Sequence, residues 1–247
     1  MPVDPSLAAT GPGLYRGLMI GSLLAGLILW LRAVRSERGL WAIYLGGVLG
    51  GLSGAKLGYV LAEGWLHAGR PDFWMQLATG KTIAGALLGG YAGIEIAKHA
   101  IGWKKATGDW FALVVPVGVA LGRVGCLVHG CCLGVAGDGE SWWTRADAAG
   151  IPRWPASTVE LVFNLLAAAV LFALHRLERL PGQLFHVYLV AYGAFRFFHE
   201  FLRDTPKVFL GLSGYQWIAA AMVIFGVVRF RRRQRRPAET LWRKTEN

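Results

Sequence analysis

The sequence predicts an all-α protein that crosses a membrane about seven times and forms a single transmembrane domain over residues 1–247. Two features of its composition predict this class: hydrophobic residues make up 54% of the chain, and charged residues only 17%, whereas soluble domains contain about 25% charged residues. The third observation that predicts this class is the arrangement of the apolar residues, which occur in long runs. Intrinsic disorder is excluded by the apolar content, and three cysteines are too few for a disulfide scaffold.

Seven apolar segments reach the length of about 20 residues that a helix needs to cross the hydrocarbon core. They cover residues 16–34, 40–62, 82–102, 108–129, 156–175, 183–203 and 213–230. The third is rich in glycine, the fourth contains Pro116, and the sixth ends in charged residues. Since no Lys or Arg precedes the first apolar run, we expect an uncleaved first span rather than a signal peptide.

The distribution of Lys and Arg predicts the orientation of these spans. Sixteen of these residues fall near the loops after the first, third and fifth spans and in the tail, whereas seven fall in the other loops. The N-terminus is therefore expected outside and the C-terminus inside, with a basic cytoplasmic tail at 229–247 and an outward-facing interfacial loop at 130–155. Topology and membrane lipids then explain the net charge of +11, and nucleic acid is excluded as a partner.

Several ionisable residues lie inside the predicted spans, where a charge is costly and usually marks a polar, functional cavity. They are Lys56, Glu95, Arg123, Glu160, Arg196, His199 and Glu200. Arg123 is flanked by Gly122 and Gly125, and glycines allow a ligand or another backbone to approach closely. For Arg196 and Glu200 two interpretations remain open: an Arg–Glu pair that holds two helices together, or an anion site for a phospholipid headgroup, which the planar guanidinium suits.

The spacing of Arg196, Glu200 and Arg203 places them near one face of the sixth span, with Arg203 closer to the outer surface. The i, i+4 interval of Arg196 and Glu200 is that of an ion pair along a helix. The same arginines could also hold a phosphate.

The three cysteines form one cluster with a histidine, as Cys126, His129, Cys131 and Cys132. Packing in a glycine-rich bend, a disulfide, a nucleophilic thiolate with His129 as its base, and a zinc site are all compatible with this pattern. Adjacent Cys131 and Cys132 fit one tetrahedral ion poorly, so no metal is expected.

The chain resembles the bacterial prolipoprotein diacylglyceryl transferase family in four segments and one further residue. These are RGLMIG at 16–21, GRVGCLVHGCCLG at 122–134, WPASTVE at 154–160, YGAFRFFHEFLR at 192–203, and Gln216 in LSGYQW. The resemblance implies a seven-span enzyme of the bacterial inner membrane with its active site toward the outer leaflet. Such enzymes transfer diacylglycerol from phosphatidylglycerol to a lipobox cysteine of a protein, without a cofactor.

The resemblance also implies roles for individual residues. Arg123 and Arg196 would hold the phosphatidyl headgroup within a polar network that includes Glu160 and Glu200. The substrate-binding residues would be Tyr15, Arg16, Gly122, Gly125, Tyr192, Arg203 and Gln216.

The chain departs from the family's pattern G-R-x-G-N-F-x-N-x-E-x-x-G. Cys126 and His129 replace its two asparagines, and Cys131 replaces its acid. The family's third-span histidine aligns with Ala84, and its histidine before Pro155 is Trp154.

Three hypotheses follow from this pattern. The chain is a transferase that alkylates a protein thiol, with Arg123 and Arg196 stabilising the leaving phosphate and His129 or His199 as base. Alternatively, the same scaffold serves another acceptor with Cys126 or Cys131 taking part in the chemistry. In the third hypothesis it binds lipid without catalysis.

Overall fold

A computed structural model describes residues 13, 17, 20–21, 23–32, 40–137, 139 and 144–235. Most of these residues are helical. The helices are α1 (Leu23–Arg32), α2 (Trp41–Ala62), α3 (Phe73–Thr79), α4 (Ile83–Ala100), α5 (Gly108–His129), α6 (Ala156–Arg176), α7 (Leu184–His199) and α8 (Gly214–Arg235). Two 3-10 helices cover Gly64–His67 and Glu200–Leu202. Tyr15 and Arg16 of the expected substrate site, and the tail beyond residue 235, lie outside the described residues.

Three helices of the described chain are long and apolar enough to cross a membrane: α2, α5 and α6. The expectation of about seven spans is therefore met only in part. Helices also occupy the third, sixth and seventh predicted spans, but α7 has 16 residues, α4 carries Glu95 and Lys98, and α8 ends in an arginine-rich turn. Helix α7 is thus shorter than a full span, whereas α4 and α8 carry charged residues near one end.

The chain divides into two compact units. The first, which we call the glycine-packed unit, contains α2, α3, α4, α7 and α8. The second, the cysteine-bearing unit, contains α5 from Trp110 onward, α6, the segment between them and residues 201–204.

Glycines bring α2 and α4 into close backbone contact within the glycine-packed unit. They recur every four residues as Gly46, Gly50, Gly54 and Gly58 on α2 and as Gly85, Gly89 and Gly93 on α4. A Cβ on Gly50 would overlap the carbonyl oxygen of Gly89, and one on Gly89 would overlap that of Gly50. Small residues at four-residue intervals permit this approach in membranes, where van der Waals packing stabilises helix pairs.

In the same unit, α7 and α8 pack through one glycine on each helix. Gly193 of α7 faces Val223, and Gly226 of α8 faces Val190. The start of α7 is held by Asp109, whose carboxylate accepts hydrogen bonds from the backbone N–H of Leu184 at 3.1 Å and from that of Gly182 at 2.5 Å. A short hairpin of β3 (Lys207–Phe209) and β4 (Leu212–Ser213) precedes α8.

The predicted outward-facing loop contains an antiparallel hairpin of β1 (Arg145–Ala146) and β2 (Pro152–Arg153). Arg153 Nε donates to Asp147 Oδ2 at 2.6 Å, which closes the hairpin. The hairpin is tied to the end of α5 because Arg145 Nη2 donates to the carbonyl oxygen of Leu127 at 2.9 Å. Charged side chains therefore hold the described residues 144–155 of this loop against the end of α5.

Candidate active site

Arg123 and Glu160 form a buried ion pair in the cysteine-bearing unit. Arg123 Nη2 lies 2.7 Å from Glu160 Oε2, and the Glu160 side chain is fully buried. Arg123 lies in the last third of α5, and Glu160 in the first turns of α6. The pair joins two helices that are adjacent in the chain. It also fixes the position of the buried guanidinium.

Arg196 and Glu200 form the corresponding ion pair of the glycine-packed unit. Arg196 Nη1 lies 2.5 Å from Glu200 Oε2, and Glu200 is fully buried. The i, i+4 interval read from the sequence thus produces a direct contact at the end of α7. Each unit therefore contains one buried arginine held by one buried glutamate.

Two hydroxyl groups hold the other carboxylate oxygen of Glu200. Thr205 Oγ1 donates to Glu200 Oε1 at 2.7 Å, and Ser213 Oγ donates to the same atom at 3.3 Å. Glu200 is therefore oriented on both oxygens, by Arg196 on one side and by hydroxyls on the other. These contacts fix the orientation of the carboxylate.

Gln216, an expected substrate contact, forms a capping box at the start of α8. Gln216 Oε1 accepts a hydrogen bond from the backbone N–H of Ser213 at 2.8 Å, and the backbone N–H of Gln216 donates to Ser213 Oγ at 3.2 Å. Its Nε2 donates to the carbonyl oxygen of Phe197 at 3.3 Å. Thr205 and Ser213 were missed by the sequence interpretation, although the S-x-x-Q spacing of Ser213 and Gln216 is the usual capping-box signal.

One aromatic ring lies beside Arg196 in the glycine-packed unit, and others pack along α7. The guanidinium lies 6.0 Å from the ring centroid of Tyr215, whose hydroxyl donates to Glu63 Oε2 at 2.6 Å. His199 is buried and stacks on Phe195 with 4.9 Å between the ring centroids. Tyr192, an expected substrate contact, is fully buried in the same helix.

The three cysteines converge next to Arg123. Their sulfur atoms all lie within 4.8 Å of one another, and all three are free thiols. Arg123 Nη1 donates to Cys126 Sγ at 3.6 Å. The turn that brings the thiols together depends on Gly130, with φ of +69°, and on Cys132, with φ of +61°.

The electrostatics of this cluster distinguish Cys132 from the other two cysteines. Hydrogen bonds from Cys126 and Cys131, together with the positive charges of Arg123 and Arg203, lower the pKa of the Cys132 thiol. Hydrogen bonding to Cys126 and Cys132 raises the pKa of Cys131. Cys132, which the sequence interpretation left out of the site, is therefore the thiol that ionises first.

This thiol cluster is also the group of described residues with metal-ligand spacing. Thiolates suit soft ions such as Zn²⁺ or Cu⁺. The fourth member of the sequence motif, His129, is exposed at the last residue of α5. Among the described residues it forms no hydrogen bond with the thiols.

The remaining expected site residues are placed as follows. Gly125 is buried beside Arg123 on α5, Gly122 is half-buried, and Arg203 is half-buried in the cysteine-bearing unit. Arg203 acts on the site through its charge, as described for Cys132.

Comparison with known proteins adds a second line of observation. The family model described as prolipoprotein diacylglyceryl transferase matches residues 14–231. The chain is similar to a protein of Methylibium petroleiphilum, 32% identical, with 91% of this chain and 94% of the relative covered. A protein of Pseudoalteromonas atlantica is 30% identical, with 91% of this chain and 87% of the relative covered. A protein of Neisseria meningitidis serogroup B is 28% identical, with 92% of this chain and 94% of the relative covered. All three relatives are named phosphatidylglycerol–prolipoprotein diacylglyceryl transferase.

Proposed function

The chain belongs to the prolipoprotein diacylglyceryl transferase family, and from this premise we propose that it transfers a diacylglyceryl group from phosphatidylglycerol to the cysteine thiol of a prolipoprotein. The observation that carries the proposal beyond the family is the presence of two buried arginines, each fixed by a buried glutamate. Buried, pre-oriented guanidinium groups are suited to a phosphodiester, which accepts paired N–H donors.

The reaction requires a thiolate nucleophile and a phosphate leaving group. The sulfur of the acceptor cysteine attacks the terminal glycerol carbon of the diacylglyceryl group. A C–S bond forms as the bond between this carbon and the phosphate ester oxygen breaks. The oxygen stays on phosphorus and takes the electron pair, so glycerol phosphate is released. Negative charge therefore develops on the phosphate, where a guanidinium in a low-dielectric site stabilises it most. We assign this role to Arg123 and Arg196.

Glu160 and Glu200 act as positioning residues in this proposal. Each carboxylate accepts from one nitrogen of its arginine, and a guanidinium carries five N–H donors in total. Glu200 is itself oriented by Thr205 and Ser213. A carboxylate held in this way fixes the arginine before the lipid binds, and pre-organisation of this kind reduces the free-energy barrier.

The proton of the acceptor thiol passes to a base, and we propose His129 for this role. Its exposure at the end of α5 supports the assignment, because an exposed imidazole is accessible to an incoming acceptor thiol. His199 is buried and stacked on Phe195, so it is the less accessible alternative.

The proposed enzyme is a single domain of residues 1–247 that crosses the bacterial inner membrane about seven times. Its N-terminus and the 130–155 loop lie outside, its basic tail lies inside, and the site opens toward the outer leaflet. The asymmetry of Lys and Arg supports this orientation. The helices found at the predicted positions support the number of spans.

A direct test uses the purified protein, phosphatidylglycerol labelled in the diacylglyceryl group, and a lipobox peptide. We expect the peptide to gain the mass of one diacylglyceryl group and glycerol phosphate to be released in equal amount. A peptide with Ser in place of its cysteine is the matched control and should gain nothing. Lipid that binds without any turnover would contradict the transferase and leave a lipid-binding protein.

A second candidate function is favoured by the thiol cluster beside Arg123, in which the pKa of Cys132 is lowered. The same alkylation directed at this thiolate would place the diacylglyceryl group on the protein itself. The mass of the protein after the same incubation separates the two candidates, because self-modification requires no peptide and is lost in Cys132→Ser.

A further inference from the structure

A basic cavity lies in the glycine-packed unit, at the end of the helices opposite the Arg196–Glu200 pair. Its volume is about 330 Å³. It is formed by the end of α4, the segment after it, the start of α7 and the end of α8. The lining residues are Glu95, Lys98, His99, Trp103, Lys104, His186, Arg229, Arg232 and Arg233. Nothing in the proposed transfer reaction uses these side chains.

The charges of this cavity do not balance. Its one carboxylate, Glu95, is shared between Lys98 Nζ at 2.9 Å and Arg229 Nη2 at 3.6 Å. The other three cations, Lys104, Arg232 and Arg233, make no ion pair with any residue in the described ranges. A cavity with this excess of positive charge attracts an anion.

Two further groups in the cavity are suited to an oxygen-rich ligand. The indole Nε1 of Trp103 is buried and has no hydrogen-bond partner among the described residues. Arg229 is held in place by its Nε bond to Tyr91 Oη at 2.8 Å, and Tyr91 Oη lies 3.2 Å from His186 Nε2. A buried donor without an acceptor is costly, so an anionic oxygen in the cavity would relieve that cost.

An apolar cavity of about 440 Å³ adjoins the basic one and shares Glu95 and Arg229 with it. The rest of its lining comes from α4 and α8: Leu88, Tyr91, Ala92, Ile96 and Phe225. Ile96 is 70% exposed, which places this surface toward lipid in a membrane protein. The two cavities together thus combine a basic pocket with an apolar groove that leads away from it along the helices.

We propose that this pair of cavities is a second lipid site, which binds an anionic glycerophospholipid that is not the substrate. The phosphate lies among Lys104, Arg232 and Arg233, and one acyl chain lies in the apolar groove between α4 and α8. Basic pockets between membrane helices commonly bind anionic headgroups. The adjoining groove favours a lipid over a soluble phosphate compound, which would leave the apolar cavity unfilled.

Native mass spectrometry of the delipidated, detergent-solubilised protein tests the site with dioctanoyl phosphatidic acid as the probe. In the Arg232→Gln/Arg233→Gln variant we expect one of the bound lipids to bind about 10- to 30-fold more weakly, since each cation near a headgroup contributes about 1 kcal/mol. The matched control is Arg231→Gln/Arg235→Gln, which removes the same charge from the same helix outside the cavity. Equal weakening in both variants would overturn the proposal, because it would indicate diffuse attraction rather than a site.

A second pair of variants distinguishes a lipid from a free phosphate compound. Ala92→Trp fills the apolar groove and should weaken binding of phosphatidic acid at this site, whereas Ala100→Trp, exposed on the same helix, should not. The same titration with glycerol 3-phosphate should show no comparable site. If glycerol 3-phosphate binds as tightly as the lipid and Ala92→Trp affects neither, the occupant is a soluble anion and the lipid site is refuted.

Transfer to the lipobox peptide is measured separately in the Arg232→Gln/Arg233→Gln variant, and we expect it to persist in detergent. The second site is thereby judged on bound lipid alone. Failure of the wild-type protein to transfer any group would count against the proposed function. It would not affect the number of bound lipids, which is what tests the second site.

Discussion

Arg123 and Glu160 connect α5 to α6 through a buried ion pair of 2.7 Å, and the same guanidinium reaches Cys126 Sγ at 3.6 Å. One arginine therefore joins the residues that resemble the family's headgroup site to the cysteines that depart from the family's pattern. Removal of one partner of a buried ion pair leaves an uncompensated charge and destabilises a protein by about 3–5 kcal/mol. Substitutions here must therefore retain charge if function is to be separated from folding.

Substitution of either arginine by lysine should reduce transfer by about 100-fold or more. The reason is that a point charge retains the glutamate partner but cannot present two parallel N–H donors to a phosphate. We expect Arg123→Lys and Arg196→Lys to remain folded, which thermal melting in detergent would show. Transfer near the wild-type rate in both variants would exclude the headgroup role.

His129→Gln should reduce turnover by about 10²–10⁴-fold, because the acceptor thiol would lose its base. The residual rate should increase with pH as the thiol of the peptide ionises without assistance. The matched control is His67→Gln, a histidine paired with Glu63 in the glycine-packed unit. An unchanged rate and pH profile in His129→Gln would exclude His129 and favour His199.

Cys132 should be alkylated by iodoacetamide faster than an unperturbed thiol at about pH 6–8, because a lowered pKa increases the fraction of thiolate below the usual cysteine pKa of about 8.5. Cys131, with a raised pKa, should react slowly throughout. Peptide mapping after timed labelling measures both. A Cys132 rate that rises about tenfold per pH unit over this range would indicate an ordinary thiol.

Loss of a hydrogen bond to Cys132 should slow the alkylation of this thiol at low pH. Cys126→Ala removes the hydrogen bond that contributes most to the lowered pKa of Cys132, so the labelling rate of Cys132 should fall at pH 6 and recover at higher pH. The loss of a hydrogen bond to the thiolate raises the pKa of Cys132, so a higher pH is needed to ionise it.

Gly50→Ala should lower the free energy of unfolding by about 1–3 kcal/mol, because its Cβ would overlap the Gly89 carbonyl oxygen. Gly51→Ala is the matched control: its Cβ would lie 3.6 Å from the Ala86 carbonyl oxygen, an ordinary contact. Melting temperatures in detergent compare the two. Equal melting temperatures of the two variants would show that α2 and α4 can move apart at little cost in free energy.

Ser213→Ala should lower the free energy of unfolding by about 1 kcal/mol, since it removes the capping-box hydroxyl at the start of α8. It should also reduce transfer, because Ser213 orients Glu200. Ser53→Ala, exposed on α2, is the control for both measurements. Wild-type transfer in Ser213→Ala would show that Thr205 and Arg196 alone hold the carboxylate.

The sequence by itself determined the features that depend on local spacing. The predicted span 108–129 has the same bounds as α5, because a run of apolar residues and its charged flanks set where a membrane helix begins and ends. The Arg196–Glu200 contact followed from an i, i+4 interval, which the helical repeat converts directly into proximity. The family was likewise evident from short motifs.

The tertiary structure decided which distant residues meet. The pairing of Arg123 with Glu160 depends on how α5 packs on α6, and the interval of 37 residues between them carries no periodicity that could predict it. The ionisation of Cys132 depends on a turn at positive φ and on charges from Arg123 and Arg203. The basic cavity and its apolar groove arise where the ends of α4, α7 and α8 converge. Such contacts depend on the packing of helices, which no single stretch of sequence encodes.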